Sequence, residues 1–334
     1  MPSLLTIPRE IRDNIIELVL CSKRNPPPDI ATAARSRRER HRRGIPERRG
    51  FNTWSYGPSH VEFEQRDCAV DSLPLLLVNR RLSCETKSAI ERLALYSNLA
   101  CSLDVMFVEE RELWPTWLYL PVLAQQVDCI EVTFRVFGTA GEWKSAFQAG
   151  DASPPEILWC FYYLLELLLR RGPLGQRTSH VDKQLSIKTL VLNFSAEGDT
   201  YLLPPSNVEF GEWMQSRRQR SGTDFGVDLK ETIMRPEWLA DYIIVYLGFL
   251  LSMGYHTAVY GAVLYERIGR IRITVDGTLK REMDLGAILS ALSFNGPSET
   301  FGHVWPREQR VPMFWRWKKD VLTKRGELGF GDTY

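Results

Sequence analysis

Of all segments of this chain, IRITVDGT (Ile271–Thr278) comes nearest to a known catalytic motif. A strand followed by Asp-x-Asp-Gly-Thr supports phosphoryl transfer, because the first aspartate attacks phosphorus and forms an aspartyl-phosphate. Asp276, Gly277 and Thr278 match the second half, but the nucleophile position holds Thr274. A neutral hydroxyl in that place cannot form this intermediate, so we predict that DGT is a turn after a strand.

Other residue types that support chemistry are not grouped along the chain. No phosphate-binding, dinucleotide-binding, nucleophile-elbow or zinc-protease motif occurs. The five histidines share no short spacing with one another or with cysteine: His41, His60, His180, His256 and His303. We therefore predict a non-enzymatic protein with no cofactor and no metal, while a catalytic site assembled from remote residues stays open.

The composition limits the class of protein. With 334 residues, 44% of them hydrophobic, the chain can bury a large core. Its 42 basic and 41 acidic residues give a net charge of +1, so no global attraction to nucleic acid or to anionic membrane is expected. Six scattered cysteines indicate reduced thiols, and no apolar run is long enough to span a bilayer. We expect a cytoplasmic or nuclear protein that is not secreted and not bound to membrane.

The segment Leu4–Leu20 is predicted to form an amphipathic helix. Thr6 can cap its amino terminus, Pro8 suits the first turn, and Glu10 lies near the positive end of the helix dipole. The helix carries an apolar stripe made by Ile11, Ile15, Leu18 and Val19. Packing of this stripe on the protein's own core is the ordinary expectation, and docking on another protein is the alternative.

A second apolar segment, Ser72–Asn98, combines a leucine run, a basic pair and a helical stretch. Together, the two segments resemble the F-box-like N-terminal module of a large class of fungal proteins. The matching residues are Leu5, Pro8, Glu10, Ile11, Arg12 and Ile15, then Leu76, Leu77, Val78, Asn79 and Arg80, then Leu95, Tyr96 and Asn98. The resemblance ends by Val108 and departs from the compact family pattern by a long insertion after Leu20.

The resemblance implies a function in ubiquitin ligation. In F-box proteins the apolar face of the first helices binds the Skp adaptor of a cullin–RING ubiquitin ligase, and the rest of the chain recognises a substrate. It thus implies a substrate-recognition adaptor with a helical module over 1–98 and a recognition body over 99–334. By analogy, the residues that contact the adaptor are Leu5, Ile7, Pro8, Ile11 and Ile15.

The insertion, at about 22–71, is predicted to be basic and disordered. Asn25–Asp29 contains three consecutive prolines, which cannot continue a helix. A basic patch follows, made by Arg35, Arg37, Arg38, Arg40, Arg42, Arg43, Arg48 and Arg49. A solvated charge run and a nuclear-import signal are two interpretations. Direct contact with nucleic acid is the third, and it gives the alternative function of a nuclear nucleic-acid-associated protein.

The rest of the chain alternates between strand-like and helix-like runs. Four segments rich in β-branched and aromatic residues predict strands: 101–108, 129–137, 187–194 and 268–275. Between them lie two predicted helices, one from Ser153 to Arg171 and the other from Pro236 to about Gly254. Both helices are apolar nearly all round, so we expect both to be central.

Three of these strands share an apolar-x-x-apolar-x-apolar spacing, as leucine-rich repeats do. In a chain this hydrophobic, chance supplies many such matches, and their separation along the chain is irregular. We therefore predict a helical F-box-like module followed by an irregular, repeat-like α/β body with a partly parallel sheet.

An aromatic cluster near the carboxyl terminus is a candidate recognition surface, made by Phe314, Trp315 and Trp317. Aromatic residues and arginine are favoured at interface hot spots, and Arg316 lies within the cluster. The alternative is a terminal helix packed on the body.

Overall fold

The structure, a computed structural model, describes residues 4–37, 56–64, 72–95, 100–121, 124–139, 156–173, 184–218, 229–254, 257–294 and 306–330. The helices in these ranges are α1 (Arg9–Leu20), α2 (Ile30–Arg35), α3 (Tyr56–His60), α4 (Ser72–Val78), α5 (Arg80–Leu95), α6 (Glu156–Arg171), α7 (Phe210–Arg218), α8 (Pro236–Leu251), α9 (Ala258–Arg267), α10 (Leu285–Ala291) and α11 (Arg307–Glu327). The strands are β1 (Cys101–Val108), β2 (Glu112–Tyr119), β3 (Gln126–Phe137), β4 (Ser186–Ser195), β5 (Ile268–Val275) and β6 (Thr278–Asp284).

The body is built on one six-stranded sheet with the order β2-β1-β3-β4-β5-β6. The four central strands β1, β3, β4 and β5 are parallel, and each edge strand is antiparallel to its neighbour. This confirms the prediction of a mixed α/β body with a partly parallel sheet, and all four predicted strands are present. Sequence reasoning missed the two edge strands.

The apolar spacing that we attributed to chance is aligned across neighbouring strands. Val132 lies beside Leu103 on one side and beside Leu192 on the other, and Leu192 lies beside Ile273. Each of these side chains is buried in the main core. The spacing therefore reports a shared register of parallel strands even though the separation along the chain is irregular.

The main core lies between this face of the sheet and the helices α6, α8, α9 and α10. The helix α8 packs on β4 and β5 through Leu239, Ile243 and Leu247. Its opposite side is exposed at Val245 and Phe249, so the prediction that this helix is central is wrong. Its apolar character continues onto a solvent-facing side.

The Asp-Gly pair after β5 forms the turn that the sequence predicts. Asp276 and Gly277 have φ values of 45° and 77°, and Val275 pairs with Thr278 across the turn. Asp-Gly suits a two-residue hairpin because both central residues need positive φ. The motif that resembles a catalytic loop therefore joins β5 to an edge strand.

The helices α1, α4 and α5 form a unit with its own small core. Its buried members are Ile16, Leu20, Leu82, Ala89 and Leu93. The buried stripe of α1 is therefore Arg12, Ile16 and Leu20, whereas the predicted apolar stripe faces largely outward. The prediction of Thr6 as N-cap is also wrong, because α1 begins at Arg9 with Pro8 as its N-cap and without a side-chain cap.

Part of the insertion predicted to be disordered is ordered against the body. Within 22–37, the Arg24 N–H donates to the Leu118 carbonyl at 2.8 Å, and Asp29 caps α2. Within 56–64, the Glu62 N–H donates to the Leu113 carbonyl of the edge strand β2 at 2.9 Å. Backbone pairing with an edge strand thus holds both ends of the insertion, and residues 38–55 and 65–71 lie outside the described ranges.

Candidate interaction surfaces

The orientation of α1 is fixed by a buried ion pair with α5. Arg12 Nε and Nη2 donate to the two carboxylate oxygens of Glu85, at 2.9 and 2.6 Å. The hydrogen bond from Arg12 lowers the pKa of Glu85, so the carboxylate stays charged well below neutral pH. A second pair, Arg92 with Glu17 at 2.8 Å, joins the same two helices further along. These contacts turn Arg12 inward and leave its neighbour Ile11 on the outside.

The helical unit exposes several large apolar side chains. Ile11 is 50% exposed and Leu18 is 73% exposed on α1, and Leu77 is 74% exposed on α4. The remaining exposed members are Val19, Val78 and Leu95. We call Ile11, Leu18, Val19, Leu77, Val78 and Leu95 the apolar surface of the helical unit. Exposed apolar side chains concentrated on one small unit are typical of protein interaction sites.

The predicted docking residues are divided between this surface and the small core. Ile11 and Pro8 are exposed, whereas Ile7 and Ile15 are half-buried. Leu5 packs against the small core. Sequence analysis noted the exposed Leu18 and Leu77 but did not assign them to docking. Helical spacing alone does not show whether an apolar residue faces the core or the solvent.

The basic patch is not a continuous exposed surface in the described part of the chain. Arg35 is exposed, but Arg37 is buried and donates to the Ala33 and Pro115 carbonyls at 2.9 and 3.2 Å. Burial lowers the pKa of Arg37 to about 10, which still leaves it charged at neutral pH. The assignment of Arg37 to a binding patch is therefore wrong, because it anchors α2 to β2. The other predicted patch arginines, from Arg38 to Arg49, lie outside the described ranges, and nucleic-acid binding through them stays a prediction.

A second buried ion pair fastens the segment before α2 to the sheet. Arg135 on β3 donates to both carboxylate oxygens of Asp104 on β1, at 2.7 and 2.8 Å. Arg135 also donates to the Pro27 carbonyl at 2.8 Å. Burial raises the pKa of Asp104, and the hydrogen bonds from Arg135 oppose that shift. Because Nε and Nη2 of Arg135 donate to internal acceptors and both oxygens of Asp104 accept from Arg135, the role of this pair is structural.

The carboxyl-terminal aromatic cluster belongs to α11, and most of it packs on the body. Phe314 is only 2% exposed and lies 5.5 Å from the ring centre of Phe294. Trp317 packs edge-on against Tyr265, and Trp315 is 44% exposed. Phe314 is therefore excluded from a recognition surface, and the alternative of a terminal helix packed on the body is confirmed.

In the part of the chain that the structure describes, the sheet face opposite the main core is only partly covered. The helix α2 covers its end near β1 and β2, where Ala33 packs with Met106, Val108 and Phe137. Elsewhere on this face, Glu131 on β3, Arg272 on β5 and Glu282 on β6 are exposed. We call the part of this face formed by β3, β4, β5 and β6 the open face. Parallel sheets usually have both faces covered, so an exposed charged face is unusual.

Within the described residues, no group of three or more histidine, cysteine, aspartate or glutamate side chains is arranged to hold a metal ion. In the same ranges, no helix combines the length and the apolar character needed to cross a membrane. Comparison of the chain with protein-family models, with curated proteins and with solved structures finds no match in any of the three.

Proposed function

We propose that this chain is a non-enzymatic interaction protein whose helical unit binds a Skp-type adaptor of a cullin–RING ubiquitin ligase. The body, on this proposal, recognises the protein that is brought to the ligase. The choice of adaptor comes from the F-box-like resemblance of the two N-terminal segments.

The exposed apolar surface of the helical unit is the observation that supports binding. The unit fills its own small core with other residues, so Ile11 and Leu18 are not needed for that core. Burying an exposed side chain of this size against a partner contributes roughly 1.5–3 kcal/mol, and several together can support a stable complex. If Ile11 and Leu18 were buried in the protein's own core, they could not contact a partner, and this support for binding would be absent.

The test is recovery of purified Skp-type adaptor by the full chain. We expect wild type to retain the adaptor and an Ile11→Asp, Leu18→Asp double variant to lose it, because the two carboxylates would be buried without partners. The fold of the variant is checked by circular dichroism and by its thermal midpoint. A matched control is Val259→Asp on α9, where an equally apolar side chain is 67% exposed on the body.

Equal recovery by wild type and the double variant would refute docking through this surface. Recovery by neither would refute the choice of a Skp-type adaptor. Loss in the Val259→Asp control as well would show that any added surface charge disrupts binding, and it would likewise remove the claim of a specific site.

A further inference from the structure

The helix α1 carries two stripes of side chains that are offset by one helical position. The inner stripe, which faces the small core, consists of Arg12, Ile16 and Leu20. The outer stripe, which lies one residue earlier at each point and is exposed or half-buried, consists of Ile11, Ile15 and Val19. With 3.6 residues per turn, one position is a rotation of about 100° about the helix axis. Turning α1 by that amount would place the outer stripe where the inner stripe now lies.

Hydrophobic burial alone would favour the turned register of α1. All three members of the outer stripe are apolar, whereas the inner stripe includes the buried guanidinium of Arg12. Burial of apolar surface stabilises a fold in rough proportion to its area, whereas burial of a charge is costly unless the charge is paired. Specific polar contacts therefore have to hold the observed register.

Glu85 of α5 supplies the strongest of these contacts. Its two carboxylate oxygens accept from Nε and Nη2 of Arg12, at 2.9 and 2.6 Å. In the turned register Ile11 would lie where Arg12 lies now. The buried carboxylate would then keep only the bond at 3.2 Å from Arg81, whose side chain is exposed. Glu85 thus penalises the register in which the outer stripe is buried.

The other polar contacts of α1 distinguish the two registers less strongly. The pair between Arg92 and Glu17 joins the same helices, but about 40% of each side chain is exposed, and exposed pairs contribute little. Arg12 Nη1 donates to the Leu5 and Ile7 carbonyls. Both carbonyls belong to the segment that precedes α1, so these bonds do not tie α1 to α5.

We infer that Glu85 is a positioning residue for the apolar surface of the helical unit. It holds α1 in the register that leaves Ile11 in solvent, and without its carboxylate α1 turns by one position and buries the outer stripe. A buried polar group that selects one of two similar helix packings is a known source of structural specificity. The inference rests on the proposed function only for its consequence, namely that loss of Glu85 closes the adaptor-binding surface.

The turn is measured by thiol labelling of the full chain at position 11. Ile11→Cys places a thiol on the outer stripe, and peptide mass spectrometry after maleimide treatment separates it from the native Cys21 and Cys84. We expect Glu85→Leu to slow labelling at position 11 at least tenfold, because the thiol moves into the buried position of Arg12. The matched control is Glu91→Leu, which removes an exposed carboxylate from the same helix and should leave the rate unchanged.

The double variant Arg12→Leu, Glu85→Leu should restore labelling to the rate of the parent. The observed register then buries no charge, and the pair of Arg92 with Glu17 forms only in that register. If Glu85→Leu simply unfolds the helical unit, position 11 is labelled at an equal or faster rate, and that result would overturn the inference. Slow labelling that persists in the double variant, or that also occurs in Glu91→Leu, would overturn it as well.

Adaptor recovery by the same variants separates this inference from the proposed function. We expect Glu85→Leu to lose the adaptor although its side chain is buried, and the double variant to regain it. Retention of the adaptor by a Glu85→Leu variant that is protected at position 11 would refute docking through this surface and leave the turn established. Failure of wild type to bind the adaptor would refute the proposed function alone, because the labelling rates do not depend on a partner.

Discussion

Arg12 of α1 and Glu85 of α5 share two hydrogen bonds although 73 residues separate them along the chain. Both side chains are almost fully enclosed, at 1% and 8% relative exposure. A charge taken out of water needs such a partner, because desolvation without one is costly. The pair therefore determines which side of α1 faces the small core.

The first prediction concerns the pH dependence of this pair. Arg12 lowers the pKa of Glu85, so the pair's stabilisation is complete above the ordinary glutamate value of about 4.3 and is lost as pH falls through the lowered value. We expect Arg12→Met to lower the thermal midpoint at pH 7. The difference from wild type should shrink as the pH is lowered from 5 to about 3. A difference that stays constant over this range would contradict the linkage.

The second prediction contrasts two isoleucines of α1. Ile16 is fully buried in the small core, and Ile16→Ala should cost about 2–5 kcal/mol in the free energy of unfolding. Ile11 is half exposed, and Ile11→Ala should change that free energy by no more than about 0.5 kcal/mol. Urea denaturation of both variants measures the contrast. Equal costs would mean that Ile11 is part of the core.

The third prediction concerns the buried pair of Asp104 and Arg135. Arg135→Met leaves the Asp104 carboxylate and the Pro27 carbonyl without their donor, and we expect a loss of about 3–5 kcal/mol. The exposed Arg272 serves as control, since Arg272→Met should cost about 1 kcal/mol or less. The double variant Asp104→Leu, Arg135→Met should recover part of the loss. A double variant less stable than Arg135→Met would contradict this account.

The fourth prediction concerns the reactivity of Cys129. A thiol with a pKa of about 11 is roughly one part in a thousand thiolate at pH 8, against about a quarter for an ordinary thiol of pKa about 8.5. Iodoacetamide should therefore modify Cys129 at least about tenfold more slowly than the exposed Cys21 and Cys84, since the greater nucleophilicity of a higher-pKa thiolate offsets only part of its scarcity. Peptide mass spectrometry over time gives the three rates. Comparable rates at all three sites would contradict the burial of this thiol.

The fifth prediction separates two neighbours in α11. Phe314→Ala removes a buried ring and should cost about 3–5 kcal/mol of stability. Trp315→Ala should cost clearly less, because nearly half of that side chain is already in water. Thermal unfolding of both variants distinguishes the core residue from the surface residue. A larger loss for Trp315→Ala would reverse the assignment.

The sequence predicted the central strands because each of them contains its own run of apolar residues. The bounds of β1 and β5 agree with the predicted segments, and β3 and β4 are longer by a few residues. The edge strand β6 was missed because six of its seven residues are exposed, so it has almost no apolar signal. Its existence depends on pairing with β5, which only the fold supplies.

The candidate surfaces were less predictable because burial depended on remote partners. From the sequence, Arg12 is expected to face solvent, because its partner Glu85 is far away along the chain. Its burial against Glu85 orients α1 so that the predicted apolar stripe faces outward. Arg37 reads as one member of a basic run, but Thr116 and the Pro115 carbonyl lie within its reach in the fold.

Two of the chain connections between the helical unit and the sheet are short. Arg24 is already bonded to Leu118 four residues after Leu20, and β1 begins at Cys101, six residues after the end of α5 at Leu95. At no more than about 3.6 Å per residue, these connections reach roughly 14 and 22 Å. These connections keep the ends of α1 and α5 within about 22 Å of the points where the chain joins the sheet. On the proposed function, an adaptor bound to the helical unit would therefore stay within a limited distance of a protein bound to the body.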